Sequence, residues 1–165
     1  MSDLPARDGL PLRLTTCIAS LAIGSALLSA CSSLLSPKEV LELADAEARW
    51  GARPFSDYRF ETYTSCFCDP EISQWARVEV TAGVVTRVVL LASGTEVVPD
   101  RRQYFHTVEG LFTWIRQGQY DSDLADISAE YDPQLGYPTL VRFVAEPNIA
   151  DGGSAHYARN VAPLP

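Results

Sequence analysis

The 165-residue sequence contains no G-x-S-x-G, no H-E-x-x-H, no P-loop and no glycine-rich dinucleotide turn. Each absence removes a mechanism: a serine nucleophile on a strand-to-helix elbow, a helix-borne zinc pair with its general base, and the backbone cradles that hold nucleotide phosphates. Excess positive charge is missing as well, since 13 Lys and Arg stand against 21 Asp and Glu, a formal charge of −8. An acidic chain repels phosphate backbones, so nucleic acid is not an expected partner. Histidine is scarce. His106 and His156 lie far apart in sequence and have no ligand spacing such as H-x₃-H, so neither a metal nor a cofactor is expected. Asp121, Asp123 and Asp126 form D-x-D-x-x-D without the glycine and distant glutamate of a calcium loop, which reads as a solvated loop.

What is present begins at the amino end. Arg13 is followed by Leu14 to Ala30, LTTCIASLAIGSALLSA, with no charge. A basic start, an apolar centre and small residues at the end are the order of a signal peptide. The end of the run, Leu28-Ser29-Ala30-Cys31, resembles the lipobox of bacterial lipoproteins. That resemblance implies cleavage between Ala30 and Cys31 and diacylglycerol on the Cys31 thiol. An uncleaved anchor helix reaching Pro37 is the alternative. Both place the following domain outside the cytoplasm. Ser32 after the cysteine, by resemblance to Gram-negative lipoproteins, favours the outer membrane over the inner. The expected division is therefore a signal peptide over 1–30, a lipidated cysteine and tether over 31–36, and one domain over 37–165. Arg7 and Arg13 balance Asp3 and Asp8, so the mature part keeps the whole charge of −8.

Along the mature chain, Ser36-Pro37-Lys38-Glu39 predicts a helix start with a capping box. Val40, Leu41, Leu43, Ala44, Ala48 and Trp50 give it an apolar face, with Glu47 inside that face, and Gly51 and Pro54 end it. Alternation from Tyr58 to Cys66 predicts a strand, and Ala76 to Thr81 a second. Ala82-Gly83 turns into a third, Val84 to Leu91, whose apolar character predicts cover on both faces. Glu96 to Pro99 is at most an edge strand. Thr107 caps a second helix with the stripe Val108, Leu111, Phe112, Ile115, ending near Gly118. Ile127 to Tyr131 and Pro138 to Glu146 form a hairpin, with a weaker last strand from Ser154 to Val161. The order helix-strands-helix-strands predicts an α+β fold, with two helices on one face of a mainly antiparallel sheet of five to six strands. The helix-plus-strands unit occurs twice, which raises an internal duplication as a possibility.

The lipobox, Trp50, Tyr58-Arg59-Phe60, Cys66-Phe67-Cys68, the Val78-Glu79-Val80 to Gly83-Val84-Val85 hairpin, Thr107 before Leu111-Phe112, Glu130-Tyr131-Asp132, Gly136-Tyr137-Pro138 and Ile149-Ala150-Asp151 occur in this order. Together they resemble the bacterial lipoproteins grouped as domain of unknown function 6174. The resemblance spans about Trp50 to Val161. It implies a small exported α+β domain and no particular activity. Gly152-Gly153 stands where acidic residues usually follow the tail aspartate, which argues against an acidic ligand set there.

Cys66 and Cys68 are the sharpest chemical feature. Residues two apart in a strand point the same way, and in extended chain their Cα atoms are roughly 6.5–7 Å apart, at the limit for a disulfide. A bond requires a bend, which Asp69-Pro70 permits. A structural disulfide is the expected reading. A thiol-redox or metal-handling pair is the alternative, though C-x-C lacks the usual redox spacing. Trp75 and Tyr137 are the candidate ligand-contacting aromatics. These features predict a non-catalytic binding or accessory module, held to the membrane by lipid on Cys31, that engages an envelope protein or a small ligand.

Overall fold

Ser36 starts the first helix as expected. Its hydroxyl accepts from the backbone N–H of Glu39, whose carboxylate accepts from the Ser36 N–H, closing the capping box of α1 (Pro37–Gly51). This computed structural model describes residues 33–165. The expected signal peptide, the Ala30–Cys31 cut site and the lipidation site Cys31 lie outside the described residues. The part of the expected tether that is described is not free chain. Leu35 is buried in the core, the Leu34 N–H donates to the Gln119 carbonyl at 2.9 Å, and the Ser33 hydroxyl donates to Gln119 Oε1 at 2.9 Å.

Six strands follow in one sheet: β1 (Tyr58–Ser65), β2 (Ala76–Thr81), β3 (Val84–Leu90), β4 (Leu124–Tyr131), β5 (Pro138–Ala145) and β6 (Ser154–Pro163). Their order is β3-β2-β1-β6-β5-β4, antiparallel throughout. The second helix, α2 (Val108–Gly118), is capped by the Thr107 hydroxyl, which accepts from Gly110 N–H at 3.0 Å. Its stripe Val108, Leu111, Phe112 and Ile115 is buried together with Gly118. Both helices cover the same face, because Trp50 of α1 packs edge-on against Tyr58 while the Tyr58 hydroxyl reaches Val108 and Glu109 of α2. Period two then sets the core: Tyr58 and Phe60, Ala76, Val78 and Val80, Val88 and Leu90, Ile127, Val141 and Ala158 all face the helices. Each fully buried large side chain contributes about 1.5–3 kcal/mol. Glu47, on the apolar side of α1, faces Arg116 of α2 as an ion pair.

Some expectations are corrected. β3 is an edge strand, not a doubly covered one: Val84 is 63% exposed, and only Val88 and Leu90 are buried. Conversely β6, read as a weak last strand, lies at the centre between β1 and β5, runs two residues further than expected and bulges opposite Arg59 to Glu61. Glu96 makes a single bridge to Val89, and the chain then forms a 3₁₀ turn over Pro99–Tyr104 that no periodic signal announced. The two halves are not rotated copies. Matching β1, β2, β3 to β4, β5, β6 keeps their left-to-right order in the sheet but reverses every strand direction. Only a rotation that turns the sheet over does that, and it would place the two helices on opposite faces.

Candidate functional site

Two clusters of aromatic and titratable side chains occupy the helix-covered face, one towards each end of β1. At the first, Glu109 accepts from Trp50 Nε1 (2.9 Å), Arg53 Nη2 (2.8 Å) and the Tyr58 hydroxyl (2.6 Å), while that hydroxyl accepts from Val108 N–H (3.0 Å). Arg53 lies over the Trp50 ring, 3.9 Å from its centroid. Burial pushes the Glu109 carboxyl up. Hydrogen bonds from Tyr58 and Trp50 and the Arg53 charge outweigh it and hold the group below the usual carboxylate range. Burial likewise pushes the Tyr58 phenol far above its ordinary value. Most of these donors and acceptors are spent on one another, although Arg53 Nε is buried without a partner, and Phe55 and Tyr137 pack edge-on against the Trp50 ring.

The second cluster leaves space. Thr64 near the end of β1 pairs with His156 of β6, which pairs in turn with Val141 of β5. His156 is 5% exposed. Its Nδ1 lies 3.2 Å from Thr64 Oγ1 and its Nε2 3.1 Å from Ser154 Oγ. A neutral imidazole has one donor and one acceptor nitrogen, so in either tautomer it donates to one hydroxyl and accepts from the other. The hydroxyl that accepts keeps its own proton for a third group. Burial and the neighbouring His106 push His156 down to about 4, and burial lowers His106 too, so both rings are neutral at pH 7. Trp114 of α2 packs against both imidazoles, with ring centroids 3.9 Å from His106 and 4.7 Å from His156.

Above these rings opens a cleft of about 380 Å³. Trp114 and Tyr104 wall one part of it, and Ile72 with the Cys66–Cys68 disulfide wall another. Gln103, Thr64 and Ser154 complete the lining, and none of the lining side chains is charged at pH 7. The disulfide closes just past the end of β1, with Cα atoms 5.3 Å apart, so the chain has left extended geometry there as bonding requires. Ser73 Oγ lies 3.1 Å from Cys68 Sγ and 3.8 Å from Cys66 Sγ. Arg101 of the 3₁₀ turn ties this wall to the one bearing Tyr104, pairing with Asp69 (2.6 Å) and with Glu71. A second groove of about 270 Å³ adjoins the cleft. It shares Trp114 and Ser154 with it and continues past Gln117, Gly118 and Leu124.

Of the residues singled out in the sequence, Cys66 and Cys68 line this cleft, and the structure brings His106 and His156 to it. Trp75 does not belong to it. It lies half-buried on the opposite, open face of the sheet, stacked on Tyr63 at 5.7 Å, with Arg159 over its ring at 3.8 Å. Tyr137 is corrected: at 7% exposure it is a core residue edge-on to Trp50, closed to a ligand. Asp121 caps the Asp123 N–H at 2.9 Å. Among the described residues no group of three or more His, Cys, Asp or Glu side chains is gathered to hold a metal ion, and no helix is long and apolar enough to cross a membrane. Sequence reasoning missed Thr64, Tyr104 and Ser154, which have no local signature.

The model of DUF6174, a family of unknown function, matches residues 42–163. The chain belongs to that family. The matched span of DUF6174 includes most of α1, all six strands and every residue lining the cleft. No curated protein and no solved structure matches the chain.

Proposed function

We propose that this chain is an exported lipoprotein, anchored by lipid on Cys31 and facing the periplasm from the outer membrane. Its domain acts there as a non-catalytic binding module for an uncharged ligand with an apolar or aromatic face. The carrying observation is the cleft beside His156: aromatic and apolar walls, no charged lining, and one hydroxyl proton left over at its floor. Such a composition, few polar groups among apolar walls, is what ligand sites generally show. A charged ligand would leave bulk water with nothing to compensate it. The lipid anchor is supported by the apolar run to Ala30 and the lipobox ending at Cys31.

The test has two parts. The intact mass of the protein extracted from membranes is expected to show a chain starting at Cys31 and carrying acyl groups. An unmodified thiol there removes the anchor. The neutral fluorophore N-phenyl-1-naphthylamine is expected to bind with a blue shift and to be lost on Trp114→Ala. Equal binding by wild type and variant removes the site.

The second reading, a thiol-redox or metal-handling protein using Cys66 and Cys68, has one observation in its favour: the bonded pair lines the same cleft as two imidazoles. It predicts that mild reduction opens the bond and that the freed thiols then take up Zn²⁺. A bond that resists dithiothreitol in the folded protein ends it.

A further inference from the structure

The first three described residues, 33–35, are all held against the domain. Ser33 and Leu34 each hydrogen-bond to Gln119, just past the end of α2, and Leu35 is buried in the core. Gln119 is itself buried, and its side-chain amide donates to the Arg116 carbonyl at 3.0 Å. Ser33 is two residues after Cys31, and two residues reach no more than about 7 Å even when fully extended. A lipid on Cys31 is therefore confined to one corner of the domain, where α2 ends and α1 begins. Exposed apolar side chains stand at that corner: Tyr120, next to Gln119, and Val40 with Leu41 in the first turns of α1. The opposite edge of the sheet is β3, five strand spacings from β4, or about 24 Å.

We infer that the pinned amino end fixes the orientation of the domain on the lipid surface. The corner made by Gln119, Tyr120 and the first turn of α1 faces the bilayer, and the β3 edge points away from it. This rests on the reading that Cys31 carries lipid. The acids nearby, Asp121 and Asp123 beside Tyr120 and Glu39 and Glu42 on α1, would not draw the corner to anionic headgroups. The orientation comes from the short reach of the chain, not from charge. It also keeps the groove past Gln117 and Gly118, which runs into the cleft at Trp114, on the bilayer side.

The experiment uses the full-length chain purified from membranes, with its acyl groups confirmed by intact mass, in phosphatidylcholine vesicles containing a headgroup-nitroxide lipid. A thiol-reactive fluorophore is placed on Tyr120→Cys in one sample and Val84→Cys in another, both exposed positions. The label at position 120 is expected to be quenched at least about threefold more than the label at 84, given a reach this short. Inserting twelve Gly/Ser residues between Ser32 and Ser33 adds roughly 20 Å of flexible reach and is expected to bring the two labels close to equality. Equal quenching in the uninterrupted, acylated chain, or an unchanged difference after the insertion, overturns the orientation. A missing acyl mass overturns the anchor instead, and the two failures are read from different measurements.

Discussion

The two clusters under the helices are built from similar parts and behave differently. At the Trp50 end, a tyrosine hydroxyl, an indole and a guanidinium converge on the Glu109 carboxylate, and Phe55 and Tyr137 pack against the Trp50 ring. At the Trp114 end, an indole and two imidazoles meet two hydroxyls, and the space beside them stays open as a cleft. The first cluster carries a charge that is neutralised where it lies. The second carries none, and its spare hydroxyl proton borders an open cleft, whereas the unpaired Arg53 Nε of the first is enclosed by the fold. A buried polar group that finds its partners inside the fold contributes to stability, whereas one left short beside open space has capacity for an outside partner. On this comparison the Trp50 end is scaffold and the Trp114 end is the candidate site.

Among the largest effects expected from breaking the scaffold end is that at Gly136. Its φ is +81°, and a Cβ there would lie 2.2 Å from the Ala46 carbonyl oxygen of α1. Gly136→Ala is expected to cost about 3 kcal/mol or more, from left-handed backbone strain plus a clash with main chain that cannot rotate away. A fall in the urea midpoint at unchanged slope would show it. A neutral result would mean that α1 is not held where Tyr137 and Trp50 place it.

The two ends should also part company in acid. His156 is held down to about 4 against an ordinary 6.5. As pH drops below 6.5 the unfolded chain takes a proton that the folded chain refuses until about 4. Stability is therefore whole above 6.5 and is lost progressively between 6.5 and 4, by roughly 3 kcal/mol in total. His106, also lowered by burial, adds in the same direction. Glu109, a carboxylate held below its usual value, contributes stability that is present above about 4.5 and lost only as pH falls further. The cleft end should loosen first. His156→Asn is expected to flatten the upper part of the curve, and Glu109→Gln the lower. If both variants flatten the same region, the two clusters are not independent.

The scaffold end offers a milder break in Tyr58→Phe. It removes a hydroxyl that accepts from Val108 N–H at 3.0 Å and donates to Glu109 at 2.6 Å, leaving a buried amide unpaired at the start of α2. About 2 kcal/mol of destabilisation is expected. The Glu109 carboxyl should rise towards its ordinary value, visible by side-chain carboxyl NMR titration.

Much of the scaffold could be read from sequence because its signals are local. The Ser36–Glu39 capping box, the Val108-Leu111-Phe112-Ile115 stripe and the Ala82-Gly83 turn, with both φ values positive, each lie within a few residues. The cleft could not be read in the same way. Thr64 and His156 meet across 92 residues of sequence, through a pairing of β1 with β6 that no turn specifies. Arg159 and Asn160 interrupt the apolar alternation of β6, yet it is the strand that joins β1 to β5 at the centre of the sheet. Tyr104 reaches the cleft on a 3₁₀ turn, too short for periodicity to mark. Tyr137 and Trp75 are both candidate ligand-contacting aromatics in the sequence. Only the fold sends one into the core and the other to the open face of the sheet.

The smallest stability effect, and the one that bears most directly on the comparison, is Trp114→Ala. Trp114 is only partly buried and already borders the cleft and the adjoining groove, so truncation enlarges an open space instead of creating a sealed void. A cost of about 1 kcal/mol is expected, well below the 3–5 kcal/mol of a fully buried tryptophan. Trp50→Ala, at 3% exposure, should fall in that higher range. Binding should rank the two in reverse. Losing Trp114 removes an aromatic wall and lets water reach both imidazoles, so affinity for N-phenyl-1-naphthylamine should drop at least about tenfold, while His156 rises towards 6.5 as its ring is rehydrated. Trp50→Ala, where it still folds, should leave that affinity within about twofold, because nothing at its end of β1 faces the cleft. Were Trp50→Ala to weaken the fluorophore as much as Trp114→Ala does, the division between a closed scaffold and an open site would fail.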